Sequence, residues 1–327
     1  MKILRRRQFL HLAAGAVVLP AVSRLAWAQT YPERPVRIVV GFAAGGTADI
    51  VARLVGEWLS ERLGQPFVID NRPGAATNTG TEAVVRASPD GYTLLMITHA
   101  NAFNATLYDK LNFNFIRDIA PIAGIVRVPN VMVVNLSVPV NTVPEFIAYA
   151  KANPGKVNMG TGGVGGASHV AGELFKSMTG VSMVPVPYRG DPQVIADLLG
   201  GQVQVFFGAV PASIEFVRTG KVRALALTAA TRSDALPDVP TVADFVPGYE
   251  ASAWLGIGAP RNTPAHIVEM LNQAVNAGLA DPKLKARLAD LGGTALSGGS
   301  TTDFGKLIAD ETEKWAKVIK FAGIKPE

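Results

Sequence analysis

Apolar residues along the chain form two kinds of segment, short continuous runs that are typical of strands and spacings of three and four that are typical of helices. Residues 36–40 form a run rich in β-branched side chains, which predicts a strand. From 48 to 63 the apolar residues recur at spacings of three and four, which predicts an amphipathic helix. The apolar run at 92–97 is typical of a strand that is covered on both faces of a parallel sheet. We predict further strands at 67–69, 131–134, 157–159, 184–186, 202–207 and 224–227, and further helices at 142–152, 169–178, 193–199, 264–280 and 302–321.

Residues that favour helix starts support this assignment. Thr142 and Glu145 have the spacing of a capping box, with Pro144 in the first helical turn. Thr263 is predicted to cap a later helix, in which Pro264 takes the first position. Strands and helices that alternate in this way predict an α/β fold with mostly parallel sheets.

Two glycine-rich segments each join a predicted strand to a predicted helix. Residues 41–49 read GFAAGGTAD, and residues 160–169 read GTGGVGGASH. Small residues let a ligand approach the backbone closely. The first N–H groups of a helix have no partner within the helix, and they lie at the positive end of its dipole. Each segment is therefore predicted to be an anion cradle that needs no Arg or Lys.

Other interpretations of these two segments stay open at the level of the residues. Each has the composition of a tight turn that binds nothing. Residues 160–165 match the G-x-G-x-x-G pattern of a dinucleotide site, although nucleotides are not expected ligands of an exported protein. A phosphate-binding P-loop is excluded because neither segment ends in Gly-Lys-Ser/Thr.

The first 28 residues have the three parts of a signal peptide. Lys2 and the arginines at 5–7 precede a mostly apolar run from 9 to 22, and Ala-Trp-Ala at 26–28 fits the small-x-small rule for cleavage. The apolar run is shorter than the ~20 residues of a membrane span, so we favour a cleaved leader over an anchor.

The sequence of the leader leaves two export routes open. Residues 6–10, Arg-Arg-Gln-Phe-Leu, resemble a twin-arginine signal. Arg5 stands where Ser or Thr is usual in such signals, so general secretion is the alternative. Both routes lead to the periplasm.

The formal net charge of +5 belongs to the predicted leader. Removal of residues 1–28 takes away five of the 31 Lys and Arg and none of the 26 Asp and Glu, which leaves a neutral mature chain. Nucleic-acid binders need a basic surface, so that class is excluded. The chain has no Cys, which excludes disulfides, thiol nucleophiles, Cys-ligated metals and a lipoprotein anchor. We therefore expect a freely soluble periplasmic monomer.

The residues after the leader show no catalytic arrangement. No G-x-S-x-G elbow occurs, and His99, His169 and His266 share no metal-ligand spacing with acids. His266 is predicted to be a surface residue, whereas His99 and His169 suit packing or ligand contact equally. For Asp49 we favour a structural role, as a helix cap or an acceptor for loop amides. We predict a binding protein that is not an enzyme and holds no metal or cofactor.

Five short motifs follow one another along the chain. They are FAAGG at 42–46 followed by Asp49, NRPG at 71–74, VPYRG at 186–190, DLLGGQV at 197–203 and LPDVPTV at 236–242. This ordered set resembles the Bug family, the extracytoplasmic solute receptors of tripartite tricarboxylate transporters. The resemblance covers essentially the whole mature chain.

The resemblance implies a type II periplasmic-binding-protein fold, in which two α/β lobes enclose a ligand cleft. We expect residues 29–128 and 229–327 to form the first lobe and residues 129–228 to form the second. The implied ligand is a small carboxylate, and the implied partner is a permease of two membrane subunits. A periplasmic sensor that reports ligand to a signalling kinase has the same fold, so that alternative stays open.

The resemblance also implies which residues contact the ligand. Family members clamp a carboxylate with amides and hydroxyls of the two glycine-rich loops, partly through water. Carried onto this sequence, the candidates are Phe42, Ala43, Ala44, Gly45, Gly46, Asp49, Thr98, His99, Ala100, Thr161, Gly163, Gly165, His169, Tyr188, Gly190 and Gly208.

Four positions depart from the family pattern. Many relatives carry a polar residue at Val164, Ser or Thr at Gly166, and Asp at Gln204 and Gly208. We expect Gly208 to lie at a strand end that faces the cleft, where the missing Asp would have paired with a ligand ammonium group. The hypothesis is that this site does not bind a ligand that needs such a partner.

Overall fold

Strands and helices alternate along the chain, as the apolar spacing predicts. The computed structural model describes residues 31–108, 110–188 and 190–324. The predicted signal peptide at 1–28 lies outside the described residues, as does Arg189 of the VPYRG motif. The described residues from Arg34 onward form one compact unit.

The elements of the described chain are, in order, β1 (Val36–Val40), α1 (Thr47–Leu63), β2 (Phe67–Asn71), α2 (Asn78–Val85), β3 (Thr93–Thr98), α3 (His99–Leu107), α4 (Phe115–Asp118), β4 (Ile119–Val134), α5 (Val143–Ala152), β5 (Asn158–Thr161), α6 (Ala167–Thr179), β6 (Val184–Pro187), α7 (Asp191–Leu199), β7 (Val205–Ala209), α8 (Val210–Arg218), β8 (Arg223–Leu227), β9 (Ser252–Pro260), α9 (Ala265–Ala280), α10 (Pro282–Asp290), β10 (Thr294–Ala295) and α11 (Thr301–Ala322).

Every strand and helix predicted from the apolar spacing is present, with ends that differ by a few residues. The pattern missed β9 and the first part of β4, because Gly256, Gly258, Pro121 and Pro129 interrupt their apolar runs. It also missed the short helices α2, α3, α4, α8 and α10 and the two-residue strand β10. Of these helices, α3 and α8 follow β3 and β7 without an intervening loop.

The predicted helix caps have different outcomes. Thr142 caps α5 as predicted, because its side chain accepts a hydrogen bond from the Glu145 amide. The prediction for Thr263 is wrong: its hydroxyl donates to the Pro260 carbonyl at 2.7 Å instead. Pro264 is the N-cap residue of α9, and no side chain caps this end.

The first group of strands consists of β1, β2, β3, β9, β10 and the first part of β4. Its strands are parallel at the outer edge. β1 pairs in parallel with β2 on one side and with β3 on the other. β3 then pairs antiparallel with β9, which pairs antiparallel with the first part of β4. The short β10 also pairs with β4.

The second group of strands is built on the last residues of β4. From Asn130 onward β4 pairs antiparallel with β7 and β8. β5 pairs in parallel with both β6 and β7. The sheets are therefore mixed, and the expected parallel pairing holds only away from β4 and β9. The reason is that β4 and β9, which connect the two groups, are antiparallel to the strands beside them.

A buried carboxylate fixes α11 against β9. The indole nitrogens of Trp254 and Trp315 both donate to Glu311 Oε2, at 3.2 and 2.7 Å. Arg127 lies 3.9 Å from the other oxygen of Glu311 and pairs with Glu250 at 2.8 Å. These contacts hold the Trp315 ring edge-on to Phe103 of α3, with 5.1 Å between ring centroids.

One fully buried hydroxyl joins the chain segments where β4 changes partners. Thr228 Oγ1 accepts from the Asn130 amide at 2.9 Å and lies 2.7 Å from the Ala251 carbonyl oxygen. The Thr228 backbone also donates to Asn130 O and accepts from the Ala251 amide. Thr228 thus ties β4 to the segment that enters β9.

Among the described helices, none combines the length and apolarity needed to span a bilayer.

We expect Thr228→Val to lower the free energy of unfolding by about 1–3 kcal/mol, because it leaves buried backbone groups without a partner at unchanged shape. Denaturant unfolding of the mature chain measures this. The control is Thr302→Val at an exposed position in α11, which should change stability by less than about 0.5 kcal/mol. Equal effects of the two substitutions would contradict the role assigned to Thr228.

Candidate ligand-binding site

The two glycine-rich segments enter their helices with the same backbone conformation. Gly45 and Gly165 have φ values of +85° and +70°, which favour glycine. The next residues, Gly46 and Gly166, are extended and form the N-caps of α1 and α6. The predicted strand–loop–helix units are therefore present, and we call them the first cradle (41–49) and the second cradle (161–169).

Each cradle is held by a side chain four residues after its left-handed glycine. Asp49 Oδ2 accepts from the Gly45 amide at 2.9 Å. His169 Nδ1 accepts from the Gly165 amide at 3.1 Å. These two amides are therefore not available to a ligand, and Asp49 has the structural role that the sequence favoured.

Asp49 remains charged within the first cradle. Its carboxylate also accepts from Arg53 Nε and Nη2, at 3.0 and 2.9 Å. Burial by itself opposes ionisation, but the hydrogen bonds from Arg53 and Gly45 outweigh it, so the pKa of Asp49 lies below its ordinary value. Arg53 in turn compensates this charge.

His169 is held neutral within the second cradle. Burial lowers its pKa, and Lys176 acts in the same direction while Glu173, 3.8 Å from Nε2, opposes both. Because Nδ1 accepts a hydrogen bond, the ring proton lies on Nε2. The cradle therefore depends on an unprotonated imidazole.

Further amides of the second cradle bond within the loop. Gly162 donates to Ser168 Oγ at 2.8 Å, and Gly166 donates to the Gly163 carbonyl at 3.2 Å. The amides of Ala167 and Ser168 in the first turn of α6 have no acceptor among the described residues, and the same holds for Thr47 and Ala48 in α1. These first-turn amides are the donors that remain for an anion.

The ends of β1 and β3 lie at the same edge of their sheet, because Val40 pairs in register with Met96. The first cradle and the start of α3 therefore share this edge. Thr98 precedes α3, and its amide donates to Asn101 Oδ1 at 2.8 Å. Asn101 Nδ2 then donates to Thr81 Oγ1 at 2.8 Å, which fixes the helix start where Thr98, His99 and Ala100 were predicted to act.

The second cradle lies against α3. A Cβ atom at Gly165 would be only 2.7 Å from Leu107 Cδ2. A small cavity also lies between the starts of the two helices, and its lining residues are His99, Phe103, Ala167, Val170, Ala251, Ser252 and Trp315. We call it the interhelical cavity. Three helix starts therefore converge, those of α1 and α3 at one sheet edge and that of α6 across the cavity.

His99 lines this cavity as a neutral side chain. Its Nδ1 atom is buried without a hydrogen-bond partner in the described part of the chain. Burial lowers the pKa of His99 to about 4. The ring packs on Phe103, with 5.2 Å between centroids. The sequence pointed to His99 as a site residue, but not to Ser252, Phe103 or Trp315.

Thr161 and Tyr188, two further predicted ligand contacts, differ in whether their hydroxyl groups are free to bind a ligand. Thr161 is fully buried, and its Oγ1 has no partner among the described residues. The Tyr188 hydroxyl donates to Asp197 Oδ2 at 2.6 Å, so it is directed toward α7. Burial and this hydrogen bond raise the pKa of Tyr188 to about 12. Tyr188 therefore offers a ligand no free hydroxyl in this arrangement.

A carboxyl group that the sequence did not reveal lies at the second cradle. Gly190 is the N-cap of α7, and Asp191 follows it. A Cβ atom at Gly162 would collide with Asp191 Oδ1, so this oxygen lies directly against the loop. Burial raises the pKa of Asp191, against the opposing effect of the Ala209 amide. Only the tertiary structure brings Asp191 to Gly162.

Gly208 does not have the open surroundings that the sequence suggested. A Cβ atom there would collide with the Phe206 ring and lie 2.7 Å from Ser213 Oγ. Phe206 is fully buried in the second group of strands. A side chain at Gly208 would need the space that Phe206 occupies, and the expectation that Gly208 faces the cleft stays a prediction.

Two groups of strands covered by helices, with a strand–loop–helix cradle in each, form the architecture of a solute-binding protein. The chain belongs to the family described as "Tripartite tricarboxylate transporter family receptor", whose model matches residues 51–324. This family consists of receptors and not of enzymes.

Three similar proteins illustrate the range of the family. Protein BugT of Bordetella pertussis is 35% identical over 301 residues, which cover 91% of this chain and 92% of BugT. The structure titled "R. palustris Rpa4515 with adipate" is 39% identical with a TM-score of 0.83, covering 91% of this chain and all of that one. MatC (Rpa3494) from Rhodopseudomonas palustris with bound malate is 31% identical with a TM-score of 0.79, covering 88% and 100%.

The neutral histidines predict a loss of stability on acidification. The folded pKa of His99, about 4, lies below the unfolded value near ~6.5, so unfolding takes up a proton. The contribution is complete above pH ~6.5 and is lost as the pH falls toward 4. His99→Gln should reduce this loss of stability by about 2 kcal/mol. This is less than the full difference between the folded and unfolded pKa values of His99 would give, because the ring is only partly buried.

Denaturant unfolding between pH 7.5 and 4.5 measures this effect. His169→Gln should act in the same direction, since the pKa of His169 is also lowered. The matched control is His266→Gln, because His266 is exposed. If the His99 and His266 variants show the same pH dependence as the native chain, the neutral buried state of His99 is refuted.

Proposed function

We propose that this protein captures a small carboxylate in the periplasm and delivers it to a tripartite tricarboxylate-type permease. In this proposal residues 1–28 are removed on export. Residues 29–128 with 229–327 and residues 129–228 form the two lobes, which fits the change of partners of β4 after Pro129. The adipate and malate named for two similar structures support a carboxylate ligand.

The observation that carries the proposal is the set of free amides at the starts of α1 and α6. A carboxylate that accepts four such bonds gains roughly 1.5–3 kcal/mol from each. Each helix dipole adds about 0.3–1 kcal/mol. Association costs at least ~4 kcal/mol, so micromolar affinity is reached toward the upper end of this range. The cradles therefore suffice for an anion without a cationic side chain.

We expect adipate or malate to raise the melting temperature of mature protein (residues 29–327). Ligand at ~100 times its Kd adds about 2.7 kcal/mol to the stability of the folded state. Adipamide, which has the same carbon chain without charge, is the control and should have no effect. If no member of a wider panel of small carboxylates changes the melting temperature, the proposal fails.

The contact between the second cradle and α3 predicts a matched pair of substitutions. Gly165 and Gly180 have nearly the same φ, +70° and +69°, so an Ala at either costs about 1–2 kcal/mol of stability. A Cβ at Gly165 lies 2.7 Å from Leu107 Cδ2, whereas nothing lies within 4 Å of a Cβ at Gly180.

Calorimetric titration with the bound carboxylate should therefore separate the two variants. Gly165→Ala displaces the loop and should weaken binding at least about tenfold. Gly180→Ala lies at the other end of the same helix, ~20 Å away, and should leave binding unchanged. Equal affinities of the two variants would place the ligand away from the second cradle.

A further inference from the structure

The two cradles hold their left-handed glycines in the same way but with different chemistry. In the first cradle the Asp49 carboxylate accepts from the Gly45 amide at 2.9 Å. In the second cradle His169 Nδ1 accepts from the Gly165 amide at 3.1 Å. A carboxylate that is paired with Arg53 stays an acceptor at every pH near neutrality. An imidazole ceases to be an acceptor when it takes up a proton, because both ring nitrogens then donate.

Loss of this hydrogen bond changes the loop that carries the free amides. Gly165 is buried, so its amide has no water to turn to while the loop keeps its place. The next residue, Gly166, is the N-cap of α6, and the free amides of Ala167 and Ser168 follow directly. A proton on Nδ1 sets two donors against each other just before this helix start. The loop must then move, and the free amides move with it.

The charged neighbours of His169 on its own helix are Glu173 and Lys176. Glu173 lies 3.8 Å from Nε2, the ring nitrogen that does not bond to the loop. Its carboxylate also accepts from Lys176 Nζ at 2.7 Å, so its charge is already compensated by a cation. Glu173 therefore favours protonation of His169 less than an unpaired carboxylate would. Burial opposes protonation more strongly and keeps the pKa of His169 below its ordinary value.

In the described part of the chain, no other element packed against α6 acts on the charge of His169. Strands β5, β7 and β9 carry no titratable side chain. The titratable residue of α3 is His99, which is neutral. On α11, Glu311 and Lys314 lie 3.8 Å apart and compensate each other. The Tyr249 hydroxyl, before β9, donates to the backbone of α6.

A protonated His169 also attracts the anion, and this effect has the opposite sign. A full charge about 8 Å away raises affinity up to about 30-fold at an effective dielectric constant of ~20. Each hydrogen bond from a free amide to a carboxylate is worth roughly 10- to 150-fold. Loss of the two bonds from Ala167 and Ser168 therefore outweighs the attraction, and protonation should lower the affinity.

We propose that His169 is a positioning residue of the ligand site, whose neutral imidazole holds the second cradle in the shape that binds the anion, and that its protonation releases the ligand. This inference rests on the proposed function, because the anion itself is held by the free amides of the cradles. The first cradle keeps its geometry over the same pH range, since Asp49 is paired with Arg53. Release in acid therefore depends on the second cradle alone.

Three substitutions separate this role from packing. His169→Asn keeps an acceptor for the Gly165 amide, as Asp49 does at the matching position of the first cradle, but it does not titrate. His169→Leu removes the acceptor and keeps an apolar side chain in its place. His266→Gln is the matched control for the loss of a histidine, because His266 is exposed in α9.

The experiment is calorimetric titration of mature protein (residues 29–327) with adipate at pH 7.5, 6.5, 5.5 and 4.5, or with malate if adipate does not bind. Between pH 7.5 and 4.5 the affinity of the native chain should fall at least about threefold more than that of His169→Asn. Protonation of the ligand itself is common to both proteins and cancels in this comparison. At pH 5.5, in buffers of different ionisation heat, ligand binding to the native chain should release protons that His169→Asn does not release.

The other two variants have distinct expected results. His169→Leu should bind at least about tenfold more weakly than the native chain at pH 7.5, and its pH dependence should match that of His169→Asn. His266→Gln should follow the native chain at every pH. Melting temperatures at each pH show which proteins are folded. If His169→Leu does not fold, the comparison between the native chain and His169→Asn decides.

Three results would overturn the proposal. It is wrong if His169→Asn keeps the native pH dependence, or if the native chain gains affinity relative to His169→Asn in acid. It is also wrong if folded His169→Leu binds as tightly as the native chain at pH 7.5. In these cases carboxylate binding itself, and hence the proposed function, still stands. If no member of a wider panel of small carboxylates binds at any pH, the proposed function fails and this inference fails with it.

Discussion

The constraint on which the rest of the structure depends is that one strand, β4, belongs to both groups of strands. Its residues up to Pro129 pair with β9, and its residues from Asn130 pair with β7 and β8. Thr228 ties this point to the entry of β9 through buried hydrogen bonds. Each cradle is built on a different side of this point, so the geometry of β4 sets how far apart the two cradles can lie.

The cradles show how an anion site is made without cationic side chains directed at the anion. The left-handed glycine turns the loop, a side chain four residues later accepts its amide, and the next amides are left free. The two accepting side chains differ, however. Asp49 is charged and is compensated by Arg53, whereas His169 is neutral and is buried beside Glu173. The second cradle is therefore the one whose geometry responds to protonation.

Three of the six buried side-chain atoms that lack a hydrogen-bond partner among the described residues lie in the second cradle or across the interhelical cavity from it. Thr161 Oγ1, His99 Nδ1 and Ser252 Oγ all lack partners among the described residues. Stability alone would favour apolar replacements at such positions, because each unpaired group costs free energy. Binding sites commonly retain groups of this kind, since their partners are supplied by the ligand.

The sequence by itself determined the local units of this protein. Apolar spacing predicted most strands and the longest helices, and glycine-rich composition between them predicted both cradles, because these features depend on neighbours within a few residues. Five motifs in a fixed order led to the family and to the receptor fold. Asp49 could be assigned a structural role because its partner, Gly45, is four residues away.

Only the tertiary structure decided which side chains meet at the site. Ser252 and His99 are more than 150 residues apart and share a cavity because β9 lies beside β3 and α11 packs on α3. Asp197 accepts a hydrogen bond from Tyr188, and Asp191 lies against Gly162. None of these contacts has a periodic or motif signature. They follow from how separate elements pack, and packing depends on the shapes of residues that the sequence places far apart.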